Sequence, residues 1–149
     1  MKSLKTIAFI LLLFCLNLTI ACKKGTLSGP PSLNGSWTEV ASDLTTNSDR
    51  SLFIDNDKIT YHIWDGVEKK ITYIKGTFRT EGDKFITNFT EIEVRQQNDQ
   101  LISKTPVNTS YFNNATYVLT KSKLTLTTTG SPSNITGPST IVFVKILEE

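Results

Sequence analysis

The chain has 149 residues with 16 basic and 14 acidic side chains, and this size and charge fit a single domain. It contains no run of Lys and Arg, so it lacks the clustered positive charge that binds nucleic-acid phosphates, and nucleic acid is excluded as a partner. One histidine and two cysteines are too few for a histidine-rich metal site or a disulfide scaffold. These counts indicate a domain that is stabilised by packing.

Residues 1–21 have the pattern of a signal peptide. Lys2 and Lys5 precede an almost wholly apolar segment from Ile7 to Ala21. A helix needs roughly 20 apolar residues to cross about 30 Å of hydrocarbon, so this shorter segment is predicted to be a targeting peptide that is removed. It ends at Cys22 with an Ala-Cys pair that resembles the lipobox of bacterial lipoproteins. The alternative is an ordinary secretory signal followed by a chance cysteine.

The lipobox resemblance implies that Cys22 carries the lipid that holds the protein at a membrane. The expected location is the cell envelope, at the outer membrane and facing the periplasm, since Lys23 and not Asp follows the cysteine. Residues 22–33 are rich in Gly, Ser and Pro without a hydrophobic period, so they are predicted to be a flexible tether. Removal of Lys2 and Lys5 leaves fourteen basic and fourteen acidic side chains in the mature chain.

Residues 34–149 are predicted to form one all-β domain. Short runs of Thr, Ile, Val, Phe and Tyr are separated by Asn, Asp and Gly. Tyr61 and Ile63, for example, alternate with Thr60 and His62, as in a half-buried strand. The breaks predict eight or nine strands, at about 36–44, 50–55, 58–64, 69–80, 84–95, 101–104, 109–120, 123–129 and 140–147.

Turn residues indicate how these strands are joined. Residues 56–57 and 82–83 are predicted hairpin turns because Asn, Asp and Gly tolerate positive φ. Longer breaks are predicted at 105–108 and at 130–139. Strands joined in sequence form a meander, which is predicted to close into an antiparallel up-and-down β-barrel and so avoid exposed edges. A β-sandwich is the alternative fold, although the Cys-Trp-Cys spacing of immunoglobulin domains is absent.

Several short motifs follow one another along the mature chain. An L-x-G-x-W motif at Leu33, Gly35 and Trp37 opens the first predicted strand. The other motifs are Cys-Lys-Lys at 22–24, a G-T-F-x-x-x-G-D hairpin at 76–83, and a closing Leu-Thr-Leu-Thr strand with 141–146. The set resembles small lipocalin-like lipoproteins of Bacteroidota. This resemblance implies a lipocalin-like barrel in which Trp37 plugs the closed end, often beneath an Arg from the last strand, for which Lys145 is the nearest match.

The catalytic motifs that a sequence can reveal are missing. His62 is the only histidine, and no G-x-S-x-G, P-loop or dinucleotide motif occurs. The acidic segment at 55–57 lacks the EF-hand spacing and is predicted to be a turn. Glu91 and Glu93 share one face of a strand, like a glycosidase carboxylate pair, but are predicted to be solvated charges. We therefore expect a protein that is not an enzyme and needs neither metal nor cofactor.

Aromatic and aliphatic side chains at alternating positions are expected to face the interior of the barrel. A barrel of about eight strands is either filled by its own side chains or holds one small ligand. Five side chains are predicted to line an apolar pocket: Tyr61, Ile63, Tyr73, Phe78 and Phe89. The expected function is that of a monomeric, membrane-anchored module that binds a small apolar or amphipathic molecule. The alternative is a filled barrel that acts through its loops as a protein-interaction or inhibitor module.

Overall fold

The structure is a computed structural model that describes residues 31–40, 48–112, 114–130 and 136–146. The described strands are β1 (Gly35–Glu39), β2 (Ser48–Asp55), β3 (Lys58–Asp65), β4 (Lys70–Glu81), β5 (Lys84–Gln96), β6 (Leu101–Thr109), β7 (Ala115–Leu119), β8 (Lys123–Gly130) and β9 (Thr136–Lys145). No helix occurs in these ranges. The predicted signal peptide, Cys22 and the tether up to residue 30 lie outside the described residues.

The nine strands form one sheet that closes on itself. From β1 to β5 each strand pairs with the next, β5 pairs further with β7, and β7, β8 and β9 lead back to β1. Every one of these pairings is antiparallel. The predicted all-β up-and-down meander is therefore confirmed, and the described strands form a single sheet where a sandwich would have two.

Two of the predicted hairpin turns have the backbone conformation that their residues favour. Asn56 adopts a φ of 56° and Gly82 a φ of 61°. In each case the flanking residues pair directly, Asp55 with Lys58 and Glu81 with Lys84, so that only two residues form the turn. Both tight turns were predicted from the sequence because Asn and Gly accept positive φ at low cost.

The predicted break at 105–108 is wrong, because β6 continues through Pro106 to Thr109. Proline has no N–H to donate, but among the described strands β6 pairs with β5 alone. A proline whose nitrogen faces the open side of such an edge strand removes no ladder hydrogen bond. The break between β6 and β7 instead lies further along the chain, after Thr109 and before Ala115.

The predicted loop at 130–139 is also wrong in extent. β8 reaches Gly130 and β9 begins at Thr136, which leaves only 131–135 between the strands, outside the described residues. The Gly-Pro pair that suggested a loop falls where the register shifts, between the Thr128–Ser139 and Gly130–Thr136 pairs. A bulge at a strand end accommodates Gly and Pro, so the strand continues past them.

The inner face of the closed sheet carries the core. In β5, Phe85, Thr87 and Phe89 are buried, whereas the alternating Lys84 and Asn88 are exposed. The largest fully buried aromatic side chains are Trp37, Tyr61, Phe85, Phe89, Phe112 and Phe143. Burial of a large apolar side chain contributes roughly 1.5–3 kcal/mol, so these rings account for much of the stability of the fold.

Candidate functional site

Trp37 lies at the end of the sheet where β1 begins, and it is fully buried. Its Nε1 donates a hydrogen bond of 2.8 Å to the carbonyl oxygen of Leu33. Lys145, its neighbour across the β1–β9 pairing, places Nζ 5.0 Å from the centre of the indole ring. Lys145 Nζ also donates to the carbonyl oxygen of Ser32, at 3.2 Å. A lysine, and not the Arg that the family resemblance implied, therefore lies over the ring, where its charge favours the contact electrostatically.

Among the clefts lined by described residues, none contains more than one of the five predicted ligand-binding residues. Tyr61 and Phe89 are fully buried, with ring centres 5.6 Å and 6.2 Å from that of Phe112. Ile63 and Phe78 are partly buried and pack against the same core. Four of the five predicted residues are therefore part of the packed core or lie against it.

Tyr73 lies on the outer face of the sheet, so its predicted place in the pocket is wrong. Its ring stacks on that of His62 at 4.9 Å and 5°, and the two residues are directly paired between β3 and β4. Ile74, the next residue, pairs with Tyr61 and is buried in the core. Since neighbouring residues of a strand point to opposite faces, the burial of Ile74 forces Tyr73 outward.

His62 is enclosed on the outer face between two aromatic rings, those of Tyr73 and Phe53, the latter 6.1 Å away. Its Nε2 is buried and has no hydrogen-bond partner among the described residues. This burial lowers the pKa of His62 below its usual value, because the charged imidazolium would lose solvation. The ring is therefore held neutral at physiological pH.

Glu39, Arg50 and Tyr61 form a polar cluster beside the aromatic core. The hydroxyl of Tyr61 donates to Oε2 of Glu39 at 3.1 Å, and Nη1 of Arg50 lies 3.6 Å from Oε1 of the same carboxylate. Burial, reinforced by the charge of Glu39, raises the pKa of Tyr61 well above its usual value. Sequence reasoning missed this cluster. The sequence contained one signal for it. Glu39 lies two positions after Trp37 and Arg50 lies two positions before Leu52. These two core residues pair directly between β1 and β2.

Glu93 is not the solvated charge that the sequence predicted. Only 5% of the residue is exposed, and Lys75, Lys104 and Arg95 approach its carboxylate at 2.6, 3.3 and 3.4 Å. The hydrogen bond from Lys75, with further bonding from Lys104, lowers the pKa of Glu93 to about 2. The prediction failed because two of the three cations come from β4 and β6, which neighbour β5 only in the folded sheet.

A cleft of about 420 Å³ opens in the wall of the sheet where β5 changes partner. Pairing with β7 includes Lys84 and Phe85, whereas pairing with β6 begins at Phe89. Between these points the cleft is lined by Ser110, Phe112 and Asn114 together with residues of β5. It was not predicted, because a change of partner along one strand depends on contacts distant in sequence.

The cleft has an apolar floor and a polar rim. The floor is formed by Phe85, Phe112 and Ala115, all of which belong to the core. Hydroxyl groups stand beside it, and those of Thr87 and Ser110 lie 3.2 Å apart and share a hydrogen bond. Such a surface can pack against an apolar group and hydrogen-bond a neighbouring polar one.

The described ranges contain no cluster of three or more His, Cys, Asp or Glu side chains that could hold a metal ion. Nor do they contain a helix long and apolar enough to cross a bilayer. Comparison of the chain with protein-family models, with curated proteins and with solved structures returns no match.

Proposed function

We propose that this protein is a membrane-anchored lipoprotein whose lipocalin-like β domain is a non-catalytic module for a small apolar or amphipathic molecule. The observation that carries the proposal is the cleft between β5 and β7, with about 420 Å³ of space over an apolar floor. Small-molecule sites are typically clefts of roughly 300–1,000 Å³ with an apolar lining and a few polar groups. Lipid on Cys22 would hold the module at the outer membrane, facing the periplasm.

The cleft supports binding better than the interior does. Tyr61 and Phe89, predicted to line an inner pocket, are fully buried against Phe112 and do not line the cleft. Phe112 is buried as well, but it is one of the residues that line the cleft. A ligand there would contact the aromatic core without entering the closed sheet.

The polar groups of the cleft favour an uncharged ligand. The charges on its rim, Glu81 and Lys84, have opposite signs and so give no preference for an anion or a cation. The hydroxyls of Thr87 and Ser110 can each donate to or accept from a carbonyl or hydroxyl group of the ligand. The non-catalytic assignment is supported by the position of His62, which stacks on the outer face and away from these hydroxyls.

Titration with Nile red, an uncharged apolar dye, tests the proposal. Thr116 is exposed on the rim of the cleft, so Thr116→Trp is expected to obstruct it and weaken binding at least tenfold. Val118→Trp is the matched control, because Val118 is exposed on the same face of β7 but does not line the cleft. Circular dichroism confirms that both variants fold. Unchanged affinity in a folded Thr116→Trp protein would remove the cleft as the site.

A protein-interaction or inhibitor module is the second candidate, and the edge strand β6 favours it. β6 is exposed along almost its whole length, with 49% of Leu101 and 45% of Ile102 accessible to solvent. An extended segment of a partner could add to this edge by main-chain hydrogen bonds. Absence of any saturable dye binding to the wild-type protein would favour this candidate over the first.

A further inference from the structure

The outer face of β1, β7, β8 and β9 exposes large aliphatic side chains that no described residue covers. The accessible fractions are 49% for Val40, 66% for Val118, 44% for Val144 and 46% for Ile146. We refer to these four side chains as the valine face. Exposed apolar side chains are ordinary when scattered, but a contiguous group indicates a surface that meets something apolar.

The pairings of the strands place the four side chains of the valine face on one surface. Val144 lies in β9, and Ile146, two positions later, follows the end of that strand. The amide of Val40 donates to the carbonyl of Val142 at 2.7 Å, so β1 runs alongside that strand. On the other side, Thr125 pairs with both Val142 and Val118, which joins β7 to the same surface.

The described strands on this side of the molecule carry more exposed positive than negative charge. β7, β8 and β9 contain no Asp or Glu, and Glu39, the acid of β1, bonds to the hydroxyl of Tyr61 within the sheet. Exposed Lys121 and Lys123 lie at the turn between β7 and β8, and Lys123 pairs directly with Val144. Aliphatic side chains beside lysines fit the surface of an anionic bilayer, which attracts the charge and accepts the apolar groups.

The chain that leads back to Cys22 enters at the same end of the molecule. Nζ of Lys145 donates to the carbonyl oxygen of Ser32, and the amide of Lys145 donates to Ser122, between the two lysines of the turn. Ser32, Ile146 and this turn are therefore neighbours. The residues from Cys22 to Pro31 can reach roughly 30 Å when extended, at about 3.3 Å each, so the valine face lies within reach of the leaflet.

We propose that the valine face rests on the anionic lipid surface of the leaflet that holds the acyl chains, with Lys121 and Lys123 against the phosphates. The proposal rests on the acylation proposed for Cys22 and adds an orientation to it. Thr116, on the rim of the cleft, is two residues from Val118 on the same side of β7. The mouth of the cleft would then border the lipid, from which an amphipathic ligand could enter.

The acylated full chain in phosphatidylglycerol vesicles tests this orientation. An environment-sensitive dye is attached to Val118→Cys or, as the control, to Val67→Cys, since Val67 is also an exposed valine, at 77%, but lies in the turn between β3 and β4. The acylated Cys22 cannot react, so each protein carries one label. We expect the label at 118 to be blue-shifted and quenched by spin-labelled lipid headgroups. The label at 67 should remain in water.

Charge reversal supplies the second arm, measured as co-sedimentation of the unacylated Cys22→Ala chain with the same vesicles. Each lysine near an anionic surface contributes about fivefold to partitioning, so Lys121→Glu with Lys123→Glu should weaken it about thirtyfold or more. Lys69→Glu with Lys70→Glu, the control pair, changes the net charge equally at the end of the turn that carries Val67, away from the valine face, and should weaken partitioning much less.

Three results would overturn the proposal. Equal environments for the labels at 118 and 67 would show that the face does not meet lipid. A shift at 118 that also occurs in phosphatidylcholine vesicles and grows with protein concentration would assign the face to a second copy of the chain. Equal weakening by the two lysine pairs would show a response to net charge alone. Failure of the acylated chain to associate with any vesicle would instead refute the anchoring at Cys22, and the unacylated arm would still decide the role of the face.

Discussion

Among single residues, Trp37 is expected to contribute strongly to stability. Its ring is fully buried, its N–H is bonded to Leu33, and Lys145 covers its face. Trp37→Ala should lower the free energy of unfolding by about 3–5 kcal/mol, as is typical when a buried aromatic ring is deleted. Urea denaturation measures the change, with half-buried Trp64→Ala as the control. A loss below about 1 kcal/mol would mean that Trp37 does not close this end of the core.

Tyr61 should make the fold sensitive to alkaline pH. Burial raises its pKa above the usual 10, so the folded state holds the phenol neutral where the unfolded state would ionise it. The resulting stability is fully present below about pH 10 and is lost as the pH rises above that value. The slope of unfolding free energy against pH above 10 should therefore be steeper in wild type than in Tyr61→Phe. Equal slopes would contradict the burial of this hydroxyl.

Glu93 should make the fold sensitive to acid. Its pKa falls from the ordinary 4.5 to about 2, chiefly through the hydrogen bond from Lys75. A carboxylate with a depressed pKa contributes stability above pH 4.5, and this contribution is lost as the pH falls from 4.5 towards 2. Denaturation between these pH values should show a weaker pH dependence in Glu93→Gln than in wild type. Exposed Glu81→Gln should behave like wild type, and a Glu93→Gln protein that does so too would refute the role of the network.

At the level of strands, Gly76 determines how closely β4 and β5 can lie. A Cβ at this position would collide with the carbonyl oxygen of Asn88 and lie 2.6 Å from Cα of Phe89. Because these are backbone atoms, Gly76→Ala should separate the strands and lower stability by about 1–3 kcal/mol, the range for overpacking. Thermal unfolding, with exposed Thr77→Ala as the control, measures the loss. A neutral Gly76→Ala would show that the hairpin accommodates the methyl group.

The sequence was informative about strands because their signals are local. Asn56 and Gly82 mark turns by their own backbone preference, and alternation marks the strands on either side. The local sequence does not indicate on which face of the sheet Tyr73 lies, because polar and apolar residues occur on both sides of β4. Only the pairing of Ile74 with buried Tyr61 shows which side of β4 faces the core. The cleft was not predicted for a related reason. It lies where β5 stops pairing with β7 and begins to pair with β6.

For the whole molecule, attachment to a membrane is expected to depend on one residue. Cys22→Ala should abolish acylation and release the protein into the soluble fraction, because acyl chains contribute about 0.8 kcal/mol for each buried CH₂. Contacts of the valine face alone should be weak and salt-sensitive. Fractionation of cells that express wild type or the variant measures this. A Cys22→Ala protein that remains in the membrane fraction after a high-salt wash would show that Cys22 is not the anchor.

In its described part, the molecule combines a closed sheet, packed inside with aromatic rings, with a lateral cleft between β5 and β7. Mapping of amide chemical shifts during titration with an uncharged amphipathic probe tests whether a ligand binds in this cleft. We expect the largest shifts at Phe85, Thr87, Ser110, Phe112 and Thr116, with saturation at one probe per chain. Shifts concentrated instead around Glu39, Arg50 and Ile63, or no saturable shifts at all, would contradict this expectation.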